Sequence, residues 1–205
     1  MVFGFKKSKI DGTETVFSAP KSQKLPETFS LRKYLPKVLD QGQNPTCVPC
    51  SLTSNINWKM NLEDGNNKTD NEIDIFEIFK PYGDRDGMTF KDAFKHLKKQ
   101  GVTTKKGNFK ISRYAMVRSS LALKYAIYLN GPCVGALPVY NTYINKFWDE
   151  YRGEYQGGHA IAIVGWDDDG FIIRNSWGTS YGEKGYATIP YKEINKFFEI
   201  WTIIE

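Results

Sequence analysis

With 205 residues, 40% of them hydrophobic and 15% aromatic, the chain is long enough to bury a sizeable core, and it fits one large domain or two lobes around a shared cleft. Charged residues reach 25% with a net charge of +5, spread over Lys-rich faces such as Lys91, Lys95, Lys98 and Lys99. A nucleic-acid footprint needs clustering on one face, so no nucleic-acid partner is expected. No apolar run approaches a membrane span, and the opening Met-Val-Phe-Gly-Phe-Lys-Lys lacks the apolar core of a signal peptide. Three cysteines cannot complete a disulfide framework, so free thiols and a reducing, cytoplasmic setting are expected; a phage particle or leaderless export is compatible with the same signals.

Residues 1–24 are polar without a sustained apolar period and read as an extended arm, with a disordered tail as the plainer alternative. The compact part begins at Leu25 and runs to residue 205. From Cys47 the pattern turns helical, with Leu52, Ile56 and Met60 at four-residue spacing and Asn55, Asn57, Lys59 and Asn61 on other faces. A second helix is expected around Glu72 to Phe79, ahead of Pro81. A third starts at Thr89, where Thr89 and Asp92 resemble a capping box, and stops at Gly101. The fourth runs from about Ser120 to Asn130 and is ended by Gly131-Pro132.

The second half changes period. Val134–Val139, His159–Trp166, Phe171–Arg174, Tyr186–Ile189 and Trp201–Ile204 read as short strands, with a hairpin turn at Asp167-Asp168-Asp169-Gly170. Helices first and strands afterwards predict an α+β protein whose two lobes leave a cleft between them.

Three segments carry chemistry. Asp40-Gln41-Gly42-Gln43-Asn44-Pro45-Thr46-Cys47 leads into a helix, and a thiol at a helix N-terminus meets unpaired amides and the positive end of the dipole. Both favour thiolate, the form that attacks carbonyl carbon. Gly157-Gly158-His159-Ala160 opens an apolar strand, and Arg174-Asn175-Ser176-Trp177-Gly178 follows the next one. Antiparallel pairing of those strands brings His159 and Asn175 together.

In these segments the sequence resembles the papain-like cysteine proteases, from about Leu25 onward. Gln41 lies six residues ahead of Cys47, as a Gln precedes the nucleophile in that family; Gly158-His159-Ala160 and Asn175-Ser176-Trp177-Gly178 match its other two motifs, and Gly178 to Tyr186 looks like their continuation. The resemblance implies a two-lobed fold, a helical lobe and an antiparallel β-sheet or barrel lobe, that hydrolyses peptide or isopeptide bonds as a monomer without cofactor or metal. It implies Cys47 as nucleophile, His159 as general base and acid, Asn175 orienting the imidazole and Gln41 in the oxyanion hole. Trp177 would shield the His159–Asn175 contact, and Gly87, Met88 and Gly158 would border the peptide groove. Val48 and Pro49 follow the cysteine where the family usually has an aromatic residue, and the familiar Cys-Gly-Ser-Cys-Trp string and disulfide cysteines are missing.

Other readings compete. Cys47-Val48-Pro49-Cys50 at a helix start is also how thioredoxin-like oxidoreductases present a reactive thiol, although that reading leaves Gln41, His159 and Asn175 without purpose and expects a βαβ context. A protein that kept the protease fold only for binding is a third reading. A zinc site would need all three cysteines and a histidine, without paired spacing. Cys133 and His96 are read as packing and helix residues.

Overall fold

α1 (Cys47–Glu63) begins where Thr46 leaves helical geometry, and Pro49 sits in the first turn, where its missing N–H breaks no helical bond. A computed structural model describes residues 3–20, 23–65 and 68–204. Met1, Val2, Lys21 and Ser22 of the sequence-predicted arm lie outside the described residues.

In chain order the elements are β1 (Phe29–Ser30), α1, α2 (Ile75–Phe79), α3 (Phe90–Lys99), β2 (Val102–Thr104), β3 (Gly107–Phe109), β4 (Arg113–Met116), α4 (Ser120–Asn130), β5 (Cys133–Val139), β6 (Gly157–Trp166), β7 (Gly170–Arg174), β8 (Tyr186–Pro190) and β9 (Glu199–Ile204). The third helix is capped as its sequence predicts: Thr89 Oγ1 accepts from the Asp92 N–H at 3.0 Å and donates to Asp92 Oδ2 at 2.8 Å. It ends at Gly101, which adopts φ +84°. α4 is capped by Ser119, whose Oγ accepts from the Ala122 N–H at 3.1 Å, and stopped by Gly131 at φ +85°. The second helix is shorter than its sequence pattern, because Asp74 accepts from the Phe76 and Glu77 amides and sets the start there.

Main-sheet order is β4-β9-β5-β6-β7-β8, with β1 beside the far end of β6, and every pair is antiparallel. The Asp-rich turn joins β6 to β7 as predicted: Asp167 Oδ1 accepts from the Asp169 and Gly170 amides, both at 3.0 Å. The small hairpin β2–β3 and strand β4 were not in the strand prediction, being only three or four residues each.

Two apolar clusters make the lobes. One gathers Leu52, Ile56 and Met60 of α1 with Phe90, Phe94 and Leu97 of α3 against Val134, Ala136, Ala160 and Trp201 of the sheet. The other lies on the opposite side of the sheet, under α4, and includes Leu31, Leu35, Leu123, Ile127, Phe147, Trp166 and Phe171. The polar positions of α1 are buried too, and they are hydrogen bonded: Asn55 Nδ2 donates to the carbonyls of Asn130 (3.3 Å) and Pro132 (2.8 Å), and Asn57 Oδ1 accepts from the Asn71 amide at 2.9 Å.

Candidate active site

Antiparallel β6 and β7 pair Ala162 with Arg174, which sets Asn175 beside the stretch holding His159. His159 Nε2 lies 2.6 Å from Asn175 Oδ1, an oxygen that also accepts from the Ser176 N–H at 2.8 Å. The asparagine backbone is held in turn, its N–H donating to the Gly185 carbonyl at 3.0 Å. Trp177 stands over the imidazole with ring centroids 4.6 Å apart, and Phe147 meets the same ring edge-on at 5.5 Å. Beneath this aromatic wall His159 and Asn175 are both buried.

Gln41 is fixed at both ends of its amide. Oε1 accepts from Ser176 Oγ at 2.6 Å, and Nε2 donates to the Asn44 carbonyl at 2.9 Å. Its backbone N–H donates to the Ser176 carbonyl at 2.9 Å. Ser176 therefore ties Gln41 to Asn175 through three of its own atoms, a link the sequence signals only as part of the Asn-Ser-Trp-Gly string. Cys47 opens α1 in this neighbourhood and packs beside Ala160, the residue after His159.

The sulfur and the imidazole are both fully buried, and the N-terminal arm is part of their cover, with the Gly4 backbone by the thiol and the Phe3 ring near the imidazole. The Met88 N–H donates to the Gly4 carbonyl and the Lys6 N–H to the Met88 carbonyl, each at 3.0 Å; the Phe5 N–H donates to the Gly158 carbonyl at 3.3 Å. Phe5 fills an apolar hole, stacked on Phe198 at 6.0 Å and tilted against Phe90 at 5.5 Å. Phe3 sits 6.5 Å from both the His159 and Trp177 rings. Gly4 runs past Pro45 so closely that an added Cβ would come within 2.0 Å of the Pro45 oxygen. In the sequence Phe3-Gly4-Phe5 stands out as two aromatics flanking a glycine inside an otherwise polar segment, which signals that the arm packs but not where.

The arm places its backbone against Met88 and Gly158. Gly87, at φ +100°, exchanges its own N–H and carbonyl with Asp84 and meets the arm by close backbone approach instead. Further along, the arm is pinned by Lys6 on Asp84 (2.6 Å), by Lys91 on Glu14 (2.8 Å) and by the Ser8 N–H on Glu199 Oε1 (2.8 Å).

Covering the cleft changes its electrostatics. Burial pushes the Cys47 thiol up to about 11, against the opposing pull of backbone amides at Ala160 and Gly4. Burial likewise holds the His159 imidazole down to about 4, although Asn175 favours its charged form. The sequence argument that the helix N-terminus favours thiolate is thus outweighed here by desolvation, and His159 Nδ1 is buried without a hydrogen-bond partner. This closed arrangement holds a thiol and a neutral ring.

Among the described residues no group of three or more His, Cys, Asp or Glu side chains is placed to hold a metal. The sheet beside Cys47 and Cys50 is antiparallel, not the βαβ surroundings the oxidoreductase reading needs, and all three cysteines are free. No helix among the described residues is long and apolar enough to cross a membrane.

Solved structures share this architecture. Xylellain, a cysteine protease from Xylella fastidiosa, superposes with a TM-score of 0.81 at 23% identity, over 99% of this chain and 96% of that one. The proCathepsin B S9 from Trypanosoma congolense gives 0.81 at 18% identity, over 98% and 85%. In sequence, a gut-specific cysteine proteinase of Caenorhabditis elegans is 35% identical over 89 residues, which is 40% of this chain and 27% of that protein. A cathepsin B-like cysteine proteinase 1 of Haemonchus contortus is 35% identical over 83 residues, 37% of this chain and 24% of that protein. The chain thus spans about a quarter of the length of these curated relatives. The family model for papain family cysteine proteases matches residues 64–200, a stretch that holds His159, Asn175 and Trp177 and begins after Gln41 and Cys47. With most of its length matched by that model and its antiparallel sheet carrying the His159–Asn175 bond, the chain belongs to the papain family of cysteine proteases.

Proposed function

We propose that the chain is a cysteine endopeptidase that cleaves peptide or isopeptide bonds through a thioester on Cys47. The observation that carries this reading is the 2.6 Å bond between His159 Nε2 and Asn175 Oδ1, which leaves Nδ1 as the ring nitrogen available to the sulfur. In that role Nδ1 takes the thiol proton and the thiolate attacks the scissile carbonyl. The imidazolium then protonates the leaving amine, and water, deprotonated by the same ring, releases the acyl group. Asn175 holds the ring in one tautomer and stabilises its charged form, since its hydrogen bond raises the imidazole pKa. Gln41, clamped by Ser176 and Asn44, presents its amide with the Cys47 N–H to the developing oxyanion, where one donor contributes about 2.7–4 kcal/mol. Trp177 excludes water from this relay, while Met88, Gly87 and Gly158 line the groove for an extended peptide.

Residues 1–24 serve in this reading as a removable or displaceable arm, with 25–205 as the protease domain. Its support is the position of Phe3, Gly4 and Phe5 over the sulfur and the ring. The substrate is a protein or peptide, the working unit is a monomer, and three free buried cysteines support a reducing, cytoplasmic setting.

An iodoacetamide-type probe followed by peptide mapping, alongside cleavage of a denatured protein substrate, tests the reading. Cys47 is expected to be the labelled thiol once the arm is displaced, with cleavage abolished in Cys47→Ala and labelling slowed in His159→Ala. Cleavage that survives Cys47→Ala would end it.

A further inference from the structure

Arg174 is the last residue of β7, directly before Asn175, and it is 4% exposed. A guanidinium is costly to bury unless its N–H groups are paired. Here they are paired with neutral oxygens. Nη1 donates to the Pro36 carbonyl and to the Tyr186 hydroxyl, both at 2.8 Å, and Nη2 donates to the Lys37 carbonyl at 3.0 Å. Tyr186 lies directly across from Arg174 on β8, so that partner is set by strand register. The two carbonyls belong instead to the segment that leads into Gln41. Pro36 has no N–H to give to a strand ladder, and the arginine side chain holds the chain where backbone pairing cannot. Further on, the same segment is tied again by backbone: the Gly178 N–H donates to the Leu39 carbonyl at 3.0 Å, and the Gln41 N–H to the Ser176 carbonyl at 2.9 Å.

We propose that Arg174 is a positioning residue for Gln41: by gripping the Pro36 and Lys37 carbonyls from the strand end that carries Asn175, it fixes the approach of the segment that delivers the glutamine. All of these ties on the segment start from residues 174–178, so Gln41 and the His159–Asn175 pair share one anchor. The inference rests on the protease reading for the role of Gln41 at the oxyanion, but not for its geometry. An oxyanion donor contributes most when it is already in place, because any reorganisation at the moment of reaction is subtracted from what it supplies. The planar fork of arginine spans two consecutive carbonyls and the phenol together. A lysine at this position offers one nitrogen on a flexible stem and cannot hold both carbonyls in that geometry.

The test uses the full-length chain with Arg174→Met, which keeps the length of the side chain and removes its donors, and with Arg174→Lys. Exchange of the Gln41 backbone N–H with solvent is expected to be roughly tenfold or more faster in Arg174→Met, the ratio that loss of one charged hydrogen bond supplies. Arg174→Lys is expected to recover part of that, and the Leu123 N–H, bonded within α4, to stay unchanged. Equal Gln41 exchange in Arg174→Met and the unaltered chain overturns the proposal. On a peptide substrate, kcat is expected to fall roughly tenfold to a hundredfold in Arg174→Met, within the loss of a whole oxyanion donor, with KM little changed. In a Gln41→Ala background the same substitution is expected to cost nothing further, since Arg174 acts through that amide. An undiminished loss in that background, or an effect confined to KM, overturns the proposal. Should Arg174→Met fold poorly, the unaltered chain still decides: separate, slowly exchanging Nη proton signals are expected from Arg174, and signals averaged with water overturn the proposal. A chain that cleaves nothing defeats the protease reading, while Gln41 exchange, read without turnover, still decides whether Arg174 holds the segment.

Discussion

His159 lies between Trp177 and Phe147 with Asn175 on one nitrogen, and burial lowers its imidazole from 6.5 to about 4. Between those values the exposed ring binds a proton that the covered ring refuses. Closure over the ring is therefore fully favourable above about pH 6.5 and weakens as pH falls toward 4. Glu14, which clamps the arm to Lys91, is held down to about 2 by that lysine; its contribution is complete above 4.5 and fades as pH falls toward 2. Both groups make acid loosen the arm, in adjoining windows. Hydrogen exchange of the Lys6 and Met88 amides, corrected for its intrinsic pH dependence, is expected to accelerate from pH 6.5 downward. In His159→Gln the first window should disappear while the lower one persists.

At the scale of elements, the arm docks as an extended peptide would: backbone pairing to Met88 and Gly158, and an aromatic side chain in an apolar hole. Gly4 is the position where that fit is tightest. In Gly4→Ala the new methyl meets the Pro45 oxygen at 2.0 Å, so the arm must lift at that point. Phe5→Ala empties the hole instead, at a cost to docking of about 3–5 kcal/mol by analogy with buried Phe truncations. Each variant is expected to label at Cys47 at least about tenfold faster than the unaltered chain, with thermal unfolding of the remainder little changed. Unchanged labelling in both would mean that something other than the arm covers the sulfur. The helices and long strands behind this site were readable from residues: Thr89 with Asp92, Ser119, Gly131 and the Asp167–Gly170 turn are local signals, satisfied by neighbours in sequence. The arm was not readable in that way. Its partners, Met88, Gly158 and Glu199, are remote, and nothing within residues 1–24 records where they will be.

Across the whole molecule, the lobes are joined by groups that sequence patterning assigns to solvent. Asn55 of α1 is completely buried and reaches the carbonyls of Asn130 and Pro132, where α4 turns into β5; Trp58 packs against Gly131 in the same corner. Asn55→Ala leaves those carbonyls unpaired and is expected to lower stability by about 1–3 kcal/mol. In urea the midpoint should fall with the slope unchanged, because the same surface is exposed on unfolding. The chain between Leu31 and Val38 belongs to the sheet-side cluster although it precedes α1, so each lobe draws on segments distant in sequence.

The sequence by itself determined the α+β class, the four helices, the main strands and the family motifs around Cys47, His159 and Asn175. These rest on periodicity, capping and short-range spacing, which are encoded over a few residues. Only the tertiary structure decided that Phe3, Gly4 and Phe5 lie in the cleft by Cys47 and His159, and that Ser176 ties Gln41 to Asn175. The same is true of the protonation states, since the helix dipole at Cys47 is local and legible, whereas the burial that outweighs it is contributed by an arm and a sheet far away along the chain.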